Sequence, residues 1–370
     1  MRKFCFVFRD DPFLVKNPRG GVLSNIKLIK GLSKYGEVSI WIPGKKNRKY
    51  IESRDGIEVC YIEFPVLKLS PLIFIKTDAL KNIINDFKGP SDSIIIFGSK
   101  GSIPVAFIMR SLVQSKFFII TRDFNECIFR GYKFGKGKLK DYLRDVLWYN
   151  VWKRAYSNAD CVIVNSRFLA SEIKKNYSVK EVRVFYPQVD VIENTSNASK
   201  EARRETLNPR IGFMSGPEYK GIKLVENLAA KMSNFEFHVF NSGRCEKVGN
   251  MHYYGYSTLK EIFGTIDLLL VPSAWNEPYG RVAAEAIVNN IPVLCSDRGG
   301  LPEAANSKFF LVSSLDVDEW KTKLVQLISS PEVVCRELDK ASELVKNTAD
   351  PLSIDRAIID MLVEHAGMKH

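Results

Sequence analysis

One stretch, 267–303, constrains the fold of this 370-residue chain more than any other. It begins with a short, continuous apolar run at 267–271, which predicts a parallel strand buried on both faces. A second apolar run at 291–295 predicts the next strand, and apolar residues recur at helical spacing between the two runs. That spacing is carried by Ala283, Ala286 and Ile287, and Asn289-Asn290 ends the helix. The order strand, loop, helix, strand indicates an open parallel sheet, which binds ligands at the carboxyl ends of its strands.

Two carboxylates lie in this unit, Glu277 in the loop and Glu285 on the helix. Gly280 precedes the predicted helix, so the N–H groups of Arg281 and Val282 lack intrahelical partners, and the helix dipole favours an anion there. This pattern predicts acceptors for sugar hydroxyls beside donors for a phosphate. The alternative is that both acids are solvated residues at the ends of a helix.

Two other strand-to-helix corners carry residues that suit phosphate binding. Gly20-Gly21 follows the strand predicted at 3–8, and Lys220 follows the strand predicted at 210–215. A glycine pair exposes backbone N–H groups, and a lysine offsets phosphate charge. A plain tight turn and a solvated helix-start lysine are the alternatives. No G-x-G-x-x-G follows a predicted strand, which argues against a dinucleotide-binding enzyme.

The motifs of 267–303 follow one another in an order and spacing that resemble a known donor-binding site. They are Pro272-Ser273, Glu277-Pro-Tyr-Gly, Glu285-Ala, Ile291-Pro-Val and Gly299-Gly-Leu-Pro-Glu. Together they resemble the retaining family 4 glycosyltransferases of GT-B fold, or glycosyl transferases group 1. The resemblance covers 209–305 closely and 1–190 more loosely.

The resemblance implies a GT-B fold of class α/β, with two Rossmann-like doubly wound domains facing a cleft. The N-terminal, acceptor-side domain would span 1–190, joined by a C-terminal helix in 352–370 that crosses back to it. A polar linker at 191–208 would lead to a C-terminal nucleotide-sugar-binding domain at 209–351. The alternation of predicted strands and helices along the chain agrees with this class.

The resemblance also implies roles for individual residues. Glu277 would contact the transferred sugar and Lys220 the donor diphosphate, as the catalytic pair. The other donor-binding residues would be Glu285, Gly280, Arg281, Val282, Tyr279, Gly21, Gly20, Ser215, Gly243 and Tyr256. Tyr256 would stack on the base, with core packing as the alternative.

Two positions depart from the family pattern. Ser215 stands where the family usually has a second diphosphate-binding Arg, and Arg281 or Arg244 would compensate. The usual acceptor-side His is replaced by a segment that contains Arg122 and Asp123, which we expect to face the acceptor.

The reaction implied is transfer from a nucleotide-diphosphate sugar to a hydroxyl of a glycan or lipid-linked acceptor, with retention of configuration. No metal and no cofactor are expected, the donor being a substrate. Asp316 and Asp318 form an Asp-x-Asp, but it lies in a predicted loop before a helix without evident partner ligands. Lys220 and the N–H groups after Gly280 would stabilise the leaving group instead.

The formal charge of +12 predicts anionic partners. Segment 130–154 mixes Lys and Arg with aromatic residues, and 64–75 is apolar; either a helix on an anionic membrane surface or ordinary core packing explains the first. No nucleic-acid module accompanies the charge.

Seven scattered cysteines predict buried, reduced thiols. The short, charge-broken apolar start is not typical of a signal peptide, so we expect a cytoplasmic protein, peripheral on a membrane if the basic segment binds one.

Two other classes of function fit parts of the sequence. A non-catalytic GT-B protein that binds a sugar nucleotide or a partner would explain Ser215 and the missing His. A basic membrane- or nucleic-acid-binding protein would explain the charge but leaves Glu277, Glu285 and Lys220 without a role.

Overall fold

The chain divides into two compact units, each an α/β domain. Unit 1 comprises Met1–Phe185 with Leu352–His370, and unit 2 comprises Tyr186–Pro351. This computed structural model describes residues 3–15, 20–44, 48–69, 72–75, 94–99, 102–113, 115–122, 139–192, 208–349, 357 and 360–361.

Unit 1 is built on a mostly parallel sheet. Its strands are β1 (Lys3–Val7), β2 (Glu37–Gly44), β3 (Arg48–Arg54), β4 (Ile57–Leu69), β5 (Leu72–Ile75), β6 (Ile94–Ser99), β7 (Lys116–Thr121), β8 (Cys161–Val164) and β9 (Val182–Val184). They lie in the order β3-β4-β2-β1-β6-β7-β8-β9, with β5 paired to β4. The described helices are α1 (Gly20–Ser33), α2 (Ile103–Val113), α3 (Leu139–Asn158) and α4 (Arg167–Asn176), and Pro12–Leu14 forms a 3-10 turn.

The central strands of unit 1 are continuous apolar runs because helices cover both faces of a doubly wound sheet. The sequence predicts strands at 3–8, 37–42, 57–64, 93–97, 117–121 and 161–165, and all of them appear within a few residues of these bounds. Within the apolar segment 64–75, the end of β4 pairs antiparallel with β5. β3 was not expected, since its polar sequence RKYIESR lies at the sheet edge and pairs only with β4.

Unit 2 carries a second parallel sheet. Its strands are β10 (Ile211–Met214), β11 (Phe237–Phe240), β12 (Glu246–Val248), β13 (Met251–Tyr253), β14 (Leu268–Val271), β15 (Val293–Ser296) and β16 (Leu311–Val312). Their order is β12-β13-β11-β10-β14-β15-β16, antiparallel only between β12 and β13. The helices are α5 (Ile222–Lys231), α6 (Leu259–Thr265), α7 (Arg281–Val288), α8 (Leu301–Ala305), α9 (Val317–Ile328) and α10 (Pro331–Ala349), with 3-10 turns at Glu218–Lys220 and Lys308–Phe310.

The stretch 267–303 folds as predicted, as β14, a loop, α7 and β15. Helix α7 ends before Asn289, and Asn290 adopts a left-handed φ of 62° that a helix cannot continue. The sequence also predicts a strand at 309–312, and the observed strand is shorter, because Lys308–Phe310 forms a 3-10 turn and Leu311–Val312 alone joins the sheet.

Parts of the remaining predictions lie outside the described residues. Of the expected C-terminal helix, residues 357, 360 and 361 are helical, and Met361 is buried in the core of unit 1. Of the predicted linker, 193–207 is not described. Of the basic segment, 130–138 is not described, while Trp152 is buried and its ring lies 6.1 Å from that of Tyr156. Trp152 is therefore a core residue, which favours ordinary packing for that end of the segment.

The expectation of buried thiols holds for four cysteines. Cys5, Cys60, Cys161 and Cys295 are buried, and Cys335 is half-buried. Cys245 contradicts the prediction: it is exposed in the loop before β12, where its Sγ accepts a hydrogen bond from the Gly255 N–H.

Within the described ranges, none of the helices has the length and apolar character needed to cross a bilayer.

Candidate active site

The carboxyl ends of β10 and β14 mark the switch point of the unit 2 sheet. β10 is the first strand of the unit, β11 adds on one side of it, and β14 lies on the other. Loops that leave neighbouring strands in opposite directions open a crevice in which α/β sheets bind ligands. Lys220 follows β10 and Glu277 follows β14. Both predicted catalytic residues therefore lie at this crevice.

Lys220 and Glu277 contact each other directly. Nζ of Lys220 lies 2.5 Å from Oε1 of Glu277, and the Ser273 hydroxyl donates to the same oxygen at 2.9 Å. The Glu277 side chain is only 10% exposed, whereas the Lys220 side chain is 35% exposed. A buried carboxylate requires partners of this kind, because an uncompensated buried charge is strongly destabilising. The ion pair thus holds the Glu277 charge in a largely dry position.

Glycines allow the loops around Glu277 to approach one another closely. Gly221 has a φ of 97°, and a Cβ there would lie 2.1 Å from the Pro272 carbonyl oxygen. A Cβ on Gly299 would lie 2.4 Å from the Glu277 carbonyl oxygen, to which the Gly300 N–H donates at 2.7 Å. Only glycine permits these contacts. The backbone of Glu277 is consequently fixed by the Gly299-Gly300 loop that sequence motifs had singled out.

Gly280 precedes α7 with a φ of 95°, and a Cβ there would lie 2.5 Å from Cδ2 of Leu301. No side chain from the described part of the chain caps this helix start. The N–H groups of Arg281 and Val282 belong to the first turn, which offers backbone donors and a positive dipole end to an anion.

Glu285, the second predicted acid, is 5% exposed and lies on α7 one turn after Arg281. Nε of Arg281 lies 2.5 Å from its Oε1, an ion pair by distance although the atoms are not aligned for a hydrogen bond. Nη2 of Arg281 also donates to Asp190 at 2.7 Å. Arg281 is therefore engaged by two carboxylates, and a diphosphate would compete with both for it.

Tyr279 is a core residue at 2% exposure, and burial raises the pKa of its hydroxyl. Its ring lies 5.4 Å from that of Tyr186, whose hydroxyl donates to Glu303 at 3.0 Å. A donor contact through the Tyr279 side chain would require it to leave this packing.

Three other predicted donor-binding residues lie in loops after β10, β11 and β13. The Ser215 N–H donates to the Phe240 carbonyl at 2.8 Å. Gly243 has a φ of 77° with open space around the position of a Cβ, and Tyr256 is 75% exposed. Tyr256 is thus a solvent-facing ring, since core packing would bury it.

Arg298 is a cation near the Glu277 loop that the sequence motifs did not predict. It follows β15, and its Nη1 donates to the Ala274 carbonyl, in the Glu277 loop, at 3.4 Å. No carboxylate among the described residues pairs with it. Arg244, by contrast, lies 3.7 Å over the Tyr253 ring and pairs with Glu246. The sequence signal for Arg298 is its place directly before Gly299-Gly300.

The predicted acceptor-side residues, and two of the predicted donor-binding residues, belong to unit 1. The donor-binding pair Gly20 and Gly21 begins α1, and the acceptor-side residue Arg122 follows β7. Nη1 of Arg122 donates to the Gly21 carbonyl at 2.9 Å and to Oδ1 of Asn25 at 2.7 Å. Arg122 therefore steadies the first turns of α1, while Asp123 lies outside the described residues.

Across the described ranges, no group of three or more His, Cys, Asp or Glu side chains is placed to hold a metal ion. Asp316 caps α9 by accepting from the N–H groups of Asp318 and Glu319, and Asp318 accepts from Lys231. These two aspartates are accounted for by the helix start.

Residues 242–349 match the model of the family described as glycosyl transferases group 1. An uncharacterized 41.2 kDa protein in the cps region of Klebsiella pneumoniae is 28% identical over 188 residues, which are 46% of this chain and 51% of that protein. The D-inositol 3-phosphate glycosyltransferase of Mycobacterium marinum is 31% identical over 123 residues, 33% of this chain and 25% of the relative. The chain thus spans about half or less of the length of these curated relatives.

Solved structures match over nearly the whole chain. HepE (Alr3699) of Anabaena in complex with UDP superposes with a TM-score of 0.70, at 14% identity, over 98% of this chain and 100% of that one. Its complex with UDP-glucose gives 0.69 at 15% identity with the same coverage. At this identity the likeness establishes the fold, and the predicted GT-B fold is confirmed.

Proposed function

We propose, since the chain has the GT-B fold and its residues 242–349 match the glycosyl transferases group 1 family, that it transfers a sugar from a nucleotide-diphosphate donor to a hydroxyl group. The observation that carries the proposal is the meeting of Lys220, Ser273 and Glu277 at the switch point of the unit 2 sheet. Buried Glu285 and the uncapped start of α7 complete the set of groups that such a donor needs.

The donor binds by its separate chemical parts. Glu277 accepts hydrogen bonds from hydroxyls of the transferred sugar, and Glu285 accepts them from the ribose. Lys220 and the first N–H groups of α7 bind the diphosphate. Arg298 adds a second cation to compensate for Ser215, because it has no carboxylate partner in the described structure.

The transfer retains anomeric configuration. The bond from the sugar C1 to the diphosphate oxygen breaks, and the acceptor oxygen forms its bond to C1 on the same face. The acceptor proton passes to the departing phosphate oxygen, which acts as the base. Lys220 and the helix start stabilise the charge that grows on this leaving group, without a metal ion.

UDP-sugars are the first donors to test, because the similar HepE structures hold UDP and UDP-glucose. The relatives from a cps region favour a glycan or lipid-linked acceptor of polysaccharide biosynthesis. Such an acceptor would be met in the cytoplasm, at a membrane surface if it is lipid-linked. Arg122 and Asp123 are the proposed acceptor-side residues.

The test is nucleotide release from a panel of UDP-, GDP-, ADP- and dTDP-sugars with EDTA present, with the anomeric configuration of the product read by NMR. One nucleotide released with retention, and lost in Glu277→Ala and Lys220→Ala, is the expected result. Release that needs added metal, or an inverted product, would contradict the mechanism. Donor binding without any release would favour a non-catalytic sugar-nucleotide-binding protein.

A further inference from the structure

The Lys220–Glu277 pair joins the two groups that the proposed function assigns to different parts of the donor. Lys220 is assigned to the diphosphate and Glu277 to the sugar, yet their charged atoms lie 2.5 Å apart. A diphosphate that attracts Lys220 therefore removes the charged partner of a carboxylate whose side chain is 10% exposed.

We infer that this pair makes the site select the sugar-loaded donor over the free nucleotide diphosphate. The inference rests on the proposed function and adds selectivity to the same site. A free nucleotide diphosphate draws Lys220 away and leaves Glu277 a nearly dry anion beside a second anion. A sugar-loaded donor draws Lys220 in the same way, but its hydroxyls donate to Glu277 and replace the lost ammonium. The site consequently releases the spent nucleotide more readily than the intact donor.

Ser273 has a positioning role in this exchange. Its hydroxyl donates to the same Oε1 that Lys220 contacts, at 2.9 Å. When Lys220 moves to a phosphate, Ser273 keeps Glu277 in place and supplies its remaining hydrogen bond. Ser273 directly follows Pro272, whose carbonyl lies against Gly221, and Gly221 directly follows Lys220. The loops that carry Ser273 and Lys220 are therefore packed against each other.

The test is a double-mutant cycle on nucleotide affinity, measured by calorimetry. UDP and UDP-glucose are the first probes, followed by the matching GDP, ADP and dTDP pairs until one sugar-loaded donor binds. The wild type is expected to bind the sugar-loaded donor about tenfold more tightly than the free nucleotide. Glu277→Gln is expected to tighten free nucleotide about tenfold and to bring the two affinities together, because no pair has to be broken.

Repeating the Glu277→Gln substitution in a Lys220→Met protein distinguishes two explanations: competition between Glu277 and the diphosphate for Lys220, and simple repulsion between Glu277 and phosphate. In Lys220→Met, Glu277→Gln is expected to change nucleotide affinity less than about twofold, since Lys220 is no longer there to be shared. An equal gain in both backgrounds would overturn the inference, as would no gain in either. Ser273→Ala supplies a second variant with the carboxylate intact: its free nucleotide is expected to bind about threefold more weakly.

Glu218→Gln is the matched control. Glu218 lies in the same 3-10 turn as Lys220, but it is exposed and pairs with Lys223. Its removal takes away one negative charge near Lys220 without touching the pair, so nucleotide affinity is expected to stay within about twofold of wild type. A gain equal to that of Glu277→Gln would assign the effect to net charge and refute the exchange. Failure of every sugar-loaded donor to bind would instead refute the proposed function.

Discussion

The two sheets have the same kind of switch point but use their polar groups differently there. In unit 2, the loops after β10 and β14 bring Lys220 against Glu277. In unit 1, the corresponding loops follow β1 and β6, where Asp11 accepts from the Phe13 N–H and the Ser102 hydroxyl donates to the Val7 carbonyl. The first pair consists of side chains that a ligand can separate, whereas the second set holds the backbone of its own loops.

This difference shows why topology alone does not locate chemistry. Both sheets open a crevice at the carboxyl ends of their central strands. At the unit 2 edge, the buried acids Glu277 and Glu285 pair with the cations Lys220 and Arg281, whereas the buried acid of the unit 1 edge, Asp11, accepts from the backbone of its own loop. We therefore expect substitutions at the unit 2 edge to change donor chemistry, and equivalent ones at the unit 1 edge to change local stability.

The largest effect on turnover is expected from Glu277, and its counterpart at the unit 1 edge is Asp11. Glu277→Ala should reduce turnover about 10²–10³-fold, because it removes the proposed interaction with the reacting sugar. Asp11→Ala, the unit 1 counterpart at 8% exposure, should lower the free energy of unfolding by about 1 kcal/mol and leave donor affinity unchanged. Steady-state kinetics and thermal unfolding of both variants check the comparison. Equal losses of turnover would show that the two edges do not differ as described.

Gly221→Ala should destabilise unit 2 by about 3 kcal/mol and weaken donor binding with it. The new Cβ would meet the Pro272 carbonyl oxygen at 2.1 Å and force Lys220 away from the Glu277 loop. Gly249→Ala is the matched control, since Gly249 also has a positive φ but open space around its Cβ. It should cost about 1 kcal/mol and leave donor affinity intact. Chemical denaturation and calorimetry distinguish the clash with Pro272, which is specific to Gly221→Ala, from the backbone strain at positive φ that both variants share.

Arg298→Ala should weaken nucleotide binding about tenfold, because it removes the cation without a described carboxylate partner beside the Glu277 loop. Arg244→Ala removes the same charge from a residue that already pairs with Glu246 and stacks on Tyr253. It should change nucleotide affinity less than about twofold. Calorimetry with the two variants decides which arginine compensates for Ser215; a larger loss at Arg244 would reverse the assignment.

The smallest effect concerns His238, which lies in β11 away from both edges. Burial lowers the pKa of His238 to about 4, with nearby His252 acting in the same direction and Glu236 opposing it. The unfolded chain, with a histidine pKa of 6.5, then binds the proton more readily, so stability falls as the pH drops from 6.5 toward 4. At pH 5.5 the loss should be about 1 kcal/mol relative to pH 7.

Denaturation at the two pH values checks this, with His238→Leu and His252→Gln compared. His238→Leu should flatten the profile, and His252→Gln should largely keep it. The pH dependence of transfer can be assigned to the unit 2 edge only after this contribution of the fold is subtracted. A steep profile that persists in His238→Leu would place the titration elsewhere.

Much of the unit 2 edge was predictable because it is encoded locally. The apolar run at 268–271, the helical spacing after Gly280 and the stop at Asn289-Asn290 are all properties of neighbouring residues. The glycines at 299 and 300 were also readable, although their physical reason, contact with the backbone of the Glu277 loop, appears only in three dimensions.

What the sequence did not reveal depends on partners far apart along the chain. Arg281 reads as a spare cation until Asp190, ninety-one residues away, is seen to bind it. Tyr279 reads as a ligand contact until Tyr186 is seen to bury it. β3 was not predicted, because an edge strand has little apolar surface to cover and its sequence is mostly polar. Contacts between side chains that are distant in the sequence, and the position of a strand in its sheet, depend on the tertiary structure and cannot be predicted from local sequence patterns.

The most direct test of the central claim is calorimetric titration of the donor panel into the wild-type protein, Glu277→Gln and Glu285→Gln with EDTA present. One nucleotide-sugar class should bind the wild type more tightly than its free nucleotide does. Glu285→Gln should bind that donor more weakly, because it loses the proposed carboxylate acceptor for the ribose. Glu277→Gln should at the same time bind the free nucleotide more tightly, and Glu285→Gln less tightly. A donor that binds wild type and both variants equally would show that the unit 2 edge is not the donor site.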